Sequence, residues 1–216
     1  MSKRLLALTG ELLLISATLI GFYLTYQAWF TNFESDRVAS SIAEELKLEF
    51  SSADDQRTPD STESKEPVGF ALLYIPSLRE DVWGLPILSD VSNKSLASGV
   101  GHYPSSALPG EPGNFAVAGH RATNGEPFAR FEKLRVGDLI YVQTAEGFFT
   151  YSLLADQKIL ETDVWVLDSK PAGLVASSES LITLTTCDPR WNSTQRWARW
   201  GELVAFSKGA PEGLTQ

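Results

Sequence analysis

Between Leu5 and Phe30 the chain carries one charge, Glu11, and from Leu12 to Phe30 it carries none. As a helix this stretch spans about 39 Å at ~1.5 Å per residue, more than the ~30 Å hydrocarbon core of a bilayer. Lys3 and Arg4 precede it, and Tyr23, Tyr26, Trp29 and Phe30 gather at its far end, where interfacial aromatics collect. The pattern predicts a single-pass anchor over residues 1–33, with the N-terminus cytoplasmic and the body outside the cell membrane. A cleaved signal peptide needs a shorter apolar core and a small-residue cleavage site, and Trp29-Phe30-Thr31-Asn32-Phe33 supplies none. Glu11 is expected near the cytoplasmic interface, or paired, because an ionisable group is costly in hydrocarbon.

The segment 34–67 divides in two. Glu34 to Phe50 reads as an amphipathic stalk helix, with Val38, Ile42 and Leu46 recurring every four residues. Ser51 to Pro67 holds Ser, Asp, Glu, Thr, Lys and Arg, two prolines and no apolar residue larger than alanine. It reads as a flexible linker that lets the body move relative to the membrane.

From residue 68 to 208 the pattern is short strands broken by turn residues. The expected strands are 70–75, 83–88, 114–118, 139–143, 148–154, 158–160, 181–186 and 197–206, with short helices at 92–97 and 127–134. Thr144-Ala145-Glu146-Gly147 reads as a hairpin turn. Such a series predicts a mainly β domain, a barrel or a sandwich, followed by a short tail at 209–216.

The net charge of −9 comes with no clustered Lys and Arg, which argues against a nucleic-acid partner. The acidic residues show no calcium-loop spacing, so neither a metal nor a cofactor is expected. Cys187 is the single cysteine and cannot form an internal disulfide. Outside the cell such a residue reads as a reactive thiol or an intermolecular bridge, or as a small buried hydrophobe.

Its surroundings favour reactivity. Ile182 to Thr186 are strand formers, and Asp188-Pro189-Arg190 reads as a turn, so the thiol stands where a strand meets a loop. At an ordinary pKa of ~8.5 only about 3% of a thiol is thiolate at pH 7, so a nucleophilic cysteine needs a neighbouring base or cation. His120 lies 67 residues upstream after an apolar strand, and Arg196 nine residues downstream. Catalytic cysteine and histidine are commonly close in space rather than in sequence.

Three segments carry a resemblance: Thr183-Leu184-Thr185-Thr186-Cys187 with Gln195-Arg196; Gly99 to Pro104 with Ala107 to Asn114; and Ala118-Gly119-His120-Arg121. Over roughly 69–206 the chain resembles the sortases, the cysteine transpeptidases that attach proteins to Gram-positive cell walls, and most of all the class E, actinobacterial branch. The resemblance implies an eight-stranded β-barrel with short helices. It implies Cys187 as nucleophile, His120 as general acid and base, and Arg196 as the charge near the oxyanion or the substrate backbone. Thr185, Thr186, Tyr103 and Arg190 are expected to line the substrate groove. The implied substrates are surface proteins with C-terminal sorting signals of the Leu-Ala-x-Thr-Gly or Leu-Pro-x-Thr-Gly type. These are cleaved between Thr and Gly and passed to a cell-wall amine, from a peptidoglycan precursor or a pilin.

Three points qualify the picture. His102, in Gly101-His102-Tyr103-Pro104, is expected to be structural or substrate-lining. Arg190 and Arg199 rival Arg196, but odd spacing turns Arg199 to the other sheet face. Asp188 puts an anion next to the thiol, where class E relatives often carry His, and a nearby anion disfavours the thiolate. A pilin-polymerising sortase often adds a lid and a second span, and neither stands out here. An L,D-transpeptidase or a wall-peptide hydrolase would also use Cys and His, but the Ser-x-Gly-Cys type segment of such enzymes is absent from this chain. The non-enzymatic alternative is an anchored β-domain that binds wall components, with Cys187 buried.

Overall fold

The computed structural model describes residues 3–52 and 68–214. The N-terminal apolar run forms a helix, α1 (Lys3–Thr25). A five-residue π-helical segment, Tyr26–Phe30, joins it to a second helix, α2 (Thr31–Ser52), without interruption. Within α1 the 19-residue stretch Ala7–Thr25 is long and apolar enough to cross a membrane by length and composition, and none of it is buried against the protein. The helix continues straight through the expected boundary at 33/34.

Eight strands follow: β1 (Gly69–Tyr74), β2 (Trp83–Leu88), β3 (Val100–His102), β4 (Gly113–Ala118), β5 (Leu139–Thr144), β6 (Gly147–Ile159), β7 (Ser180–Asp188) and β8 (Gln195–Ser207). They close into a barrel in the order β1-β2-β3-β4-β7-β8-β6-β5, with β5 pairing back onto β1. The pairs β2/β3 and β4/β7 are parallel, and the rest are antiparallel. Alternate residues point inward: Ile182 and Leu184 of β7 meet Phe115 and Val117 of β4, with Ile140 and Tyr151, in one buried core.

The mainly β barrel with few short helices agrees with the expectation, and three details differ. The strand expected at 158–160 is the end of β6, a single 13-residue strand that bends at bulges near Tyr151 and Ala155. β3 has only three residues, Val-Gly-His, too few to show a two-residue period. The helix expected at 127–134 reduces to one 3₁₀ turn, Phe131–Lys133, while 92–97 contains α3 (Asn93–Leu96), capped by the Ser92 hydroxyl. The Thr144–Gly147 turn forms as expected, and Gly147 has φ 142° there.

α2 packs on the barrel wall. Its buried residues are Ser35, Ala39, Ala43 and Leu46, a stripe offset by one position from Val38 and Ile42. Ala43 and Leu46 meet Leu72, Tyr74 and Tyr141, with Ile42, Phe50 and Trp83 around them. The expected linker lies outside the described residues except for Ser51 and Ser52, which end α2.

Candidate active site

Cys187 is the penultimate residue of β7, half-buried, and free. The parallel pairing of β4 and β7 runs to Ala118↔Thr185, and carried two residues further it sets His120 level with Cys187. Two bonds hold that end of β4 in step: Gly119 N–H donates to the Thr185 carbonyl at 3.1 Å, and the Thr186 hydroxyl donates to the Gly119 carbonyl at 2.8 Å. A side chain on Gly119 has no room, because a Cβ there would stand 2.7 Å from the buried Phe128 ring. On the other side, the antiparallel pairing of β7 and β8 makes Cys187 and Arg196 direct cross-strand partners. Residues 67 apart and nine apart in sequence thus converge on one rim.

His120 is half-buried, and burial pushes its pKa below the ordinary histidine range, which favours the neutral imidazole. Arg196 lies on the face of Cys187, with its guanidinium donating to the Ser193 carbonyl at 3.1 Å and the Gln195 carbonyl at 3.0 Å. It also pairs with Glu161 at 3.3 Å. Arg199 is buried on the opposite face against Trp197 and Phe131, as odd spacing requires, and pairs with Asp156 at 3.7 Å.

The other candidates separate by parity. Thr185 shares the face of Cys187; its hydroxyl donates to the Val117 carbonyl at 3.2 Å and lies 3.3 Å from the Tyr103 hydroxyl. Thr186 faces the core and ties β7 to Gly119. Arg190, in the loop after β7, pairs with Glu126 at 2.6 Å. His102 is buried between Phe70 and Phe115, and its Nε2 lies 3.0 Å from the Ala107 carbonyl and 3.0 Å from the Ser106 hydroxyl. Those partners place it in the wall, away from Cys187.

Consecutive strand residues point to opposite faces, so the residues after His120 and Cys187 turn inward together. They are Arg121 and Asp188, 8% and 4% exposed, and they form a close ion pair. Lys158 adds a second cation 2.8 Å from Asp188, and Glu132 a second anion 3.1 Å from Arg121. The Trp197 ring lies beneath Arg121 and Lys158. Burial raises the Asp188 pKa, but Lys158 and Arg121 outweigh it and hold the carboxyl below its ordinary range. The anion beside the thiol is therefore neutralised. Opposite charges directly after His120 and Cys187 were the visible sign of this pair, and only the β4/β7 register shows that they meet.

A family model described as a sortase domain matches residues 73–204. The chain is 37% identical to Sortase SrtE1 of Streptomyces coelicolor over 218 residues, 95% of this chain and 60% of that protein, so it spans three fifths of that relative's length. It is 31% identical to Sortase SrtE2 of the same organism, over 92% of this chain and 82% of that one. The solved sortase E of Streptomyces avermitilis superposes with a TM-score of 0.61 at 39% identity, over 69% of this chain and 97% of that one. Sortase E1 of S. coelicolor with a tripeptide in its active site gives 0.62 at 40% identity, over 68% and 96%. A shared barrel, a family match across its strands and these identities together place the chain in the sortase family of cysteine transpeptidases.

Proposed function

We propose that this protein is a class E-like sortase anchored by α1, with its barrel outside the cell. On this reading it cleaves a Leu-Ala-x-Thr-Gly or Leu-Pro-x-Thr-Gly sorting signal between Thr and Gly and passes the new C-terminus to a cell-wall amine. The observation that carries the site assignment is the register. β4 and β8 flank β7 and set His120 and Arg196 on either side of Cys187. The anchor rests on the exposed apolar span Ala7–Thr25 and on Lys3 and Arg4 before it.

The chemistry follows from the protonation states. His120, held neutral by burial, takes the Cys187 proton, and the thiolate attacks the threonine carbonyl carbon. The imidazolium then gives its proton to the departing glycine nitrogen. The C–N bond breaks and leaves a thioester on Sγ. The incoming amine attacks that carbonyl, His120 takes its proton, and the C–S bond breaks; the departing thiolate takes that proton back from the imidazolium, which re-forms the resting pair. Arg196 turns from Glu161 to meet the oxyanion or the substrate backbone. Thr185 and Tyr103 line the groove beside the thiol, Arg190 shapes its loop, and Thr186 steadies the strand that carries His120.

The full chain in detergent micelles, incubated with both peptides and an amine acceptor, tests this by mass spectrometry. Cleavage after Thr, with a thioacyl adduct on Cys187 that is absent from Cys187→Ala, is the expected result. No cleavage of either peptide, with a thiol that labels only after denaturation, would sink the assignment. If Tyr103→Phe leaves the preference between the two peptides unchanged, Tyr103 has no part in that choice.

A further inference from the structure

The loop between His120 and Phe128 has an unusual backbone. Thr123, Asn124, Gly125 and Glu126 all have positive φ, at 59°, 50°, 78° and 37°. Non-glycine residues seldom occupy this region, and such a loop keeps its shape only when its surroundings hold it. The partner that holds it comes from outside the barrel. In the first turn of α2, Asn32 accepts from the Gly125 N–H at 3.0 Å and donates from Nδ2 to Glu126 at 3.1 Å. The backbone N–H can only donate, so the amide oxygen must face Gly125 and the amide nitrogen must face Glu126. The second oxygen of Glu126 accepts from Arg190 at 2.6 Å, in the loop that follows Cys187. One turn further along α2, Ser35 donates to the Ala97 carbonyl at 2.7 Å and packs beside Gly125.

We propose that Asn32 and Glu126 are positioning residues: Asn32 ties the N-terminal helix to the loop after His120, and Glu126 ties that loop to the one after Cys187. This rests on the assignment of Cys187 and His120 as the catalytic pair. Neither positioning residue touches a reacting atom. They act by keeping the two loops that border the groove at a fixed separation, so their loss raises KM for the sorting peptide more than it lowers kcat.

The test uses the full chain in phospholipid nanodiscs, with steady-state kinetics on the cleaved peptide and hydrogen exchange over residues 121–127 and 189–194. Asn32→Ala and Glu126→Ala are each expected to lower kcat/KM roughly three- to tenfold, the scale of one or two net hydrogen bonds, mostly through KM. Both are expected to speed exchange in both loops, while Glu45→Gln on the exposed face of α2 does neither. The double variant Asn32→Asp/Glu126→Gln exchanges donor and acceptor between the two side chains. It is expected to recover most of KM and of the protection. A structural defect alone would not be rescued by that swap. Unchanged exchange in the loop after Cys187 when Asn32 is removed would overturn the proposal. If the parent protein cleaves no peptide, the catalytic assignment falls, and the exchange data still decide whether the two loops are coupled through Asn32 and Glu126.

Discussion

At the scale of single residues the site is organised by parity. Cys187 and His120 share the outward face, while Asp188 and Arg121, one step on, close an ion pair inside the barrel wall. Removing one member of a buried pair strands the other, so Arg121→Ala is expected to cost about 3–5 kcal/mol in urea unfolding. Arg121→Met/Asp188→Leu is expected to recover most of that, because well-packed apolar residues replace a buried pair at little net cost. A small loss in both variants would show that the pair contributes nothing, and a large, equal loss in both would show that the pair itself, not the stranded partner, carries the stability. The folded Asp188 carboxyl titrates below its unfolded value, so its contribution is present above about pH 4 and is lost as pH falls through the folded pKa. His120 acts in the same direction, at higher pH. Its folded pKa is depressed, so below about pH 6.5 the unfolded chain binds a proton that the folded chain does not, and stability falls as the solution is acidified. The protein has only two histidines, and both are depressed by burial. Imidazole resonances followed by NMR in Cys187→Ala should therefore both titrate below the free-histidine range, and a His120 value above it would refute the neutral resting state. The sequence pointed to the candidate reactive residues through their local setting, a strand end before a turn and a glycine before a histidine. It hid their partners, because Glu126 and Arg190 stand 64 residues apart with no local pattern linking them.

At the scale of elements, most strands were legible because each has alternating or continuous apolar residues bounded by Gly, Pro or Asp. β3 escaped because three residues, one of them glycine, carry no period, and its place is set by the parallel partner β2. The stripe that α2 buries was misjudged for a related reason. Periodicity weights large side chains, yet two of the four buried positions are Ala39 and Ala43, whose small size suits a helix lying near the wall, while Ile42 packs at the edge of the seam. The packing predicts that α2 belongs to the folded domain. A fragment starting at Gly69 exposes Leu72, Tyr74 and Tyr141, and it is expected to melt lower and associate more than one starting at Thr31. In the longer fragment, Leu46→Ala should cost about 2–4 kcal/mol. Equal melting of the two fragments would show that the helix docks without stabilising the barrel.

At the scale of the whole molecule, the rim that carries Cys187 and His120 sits at the end of the barrel nearest the apolar helix. Asn32, which touches the loop after His120, lies seven residues beyond Thr25, about 10 Å at ~1.5 Å per residue. The composition of residues 51–67 suggested a tether of variable reach. With α1 in a bilayer as proposed, the docking of α2 would set the height of the domain before the chain reaches that segment. In the proposed anchored state, ten extra residues inserted between 53 and 67 should leave turnover of a vesicle-anchored substrate unchanged, whereas a slack tether would change it. The closed strand order was the least legible feature, since pairing β4 with β7 depends on contacts across more than sixty residues. The π-helical joint at Tyr26–Phe30 has a consequence of a different kind. A π turn takes up one residue more than an α turn, and one residue is about 100° of rotation at ~3.6 residues per turn. Deleting a residue there should swing the barrel around the helix axis with its height and internal contacts preserved, which spin labels would register as a change of heading without a change of depth. In the proposed anchored state that short joint would be an azimuth setting: it would fix the compass direction in which the Cys187 rim faces along the plane of the bilayer.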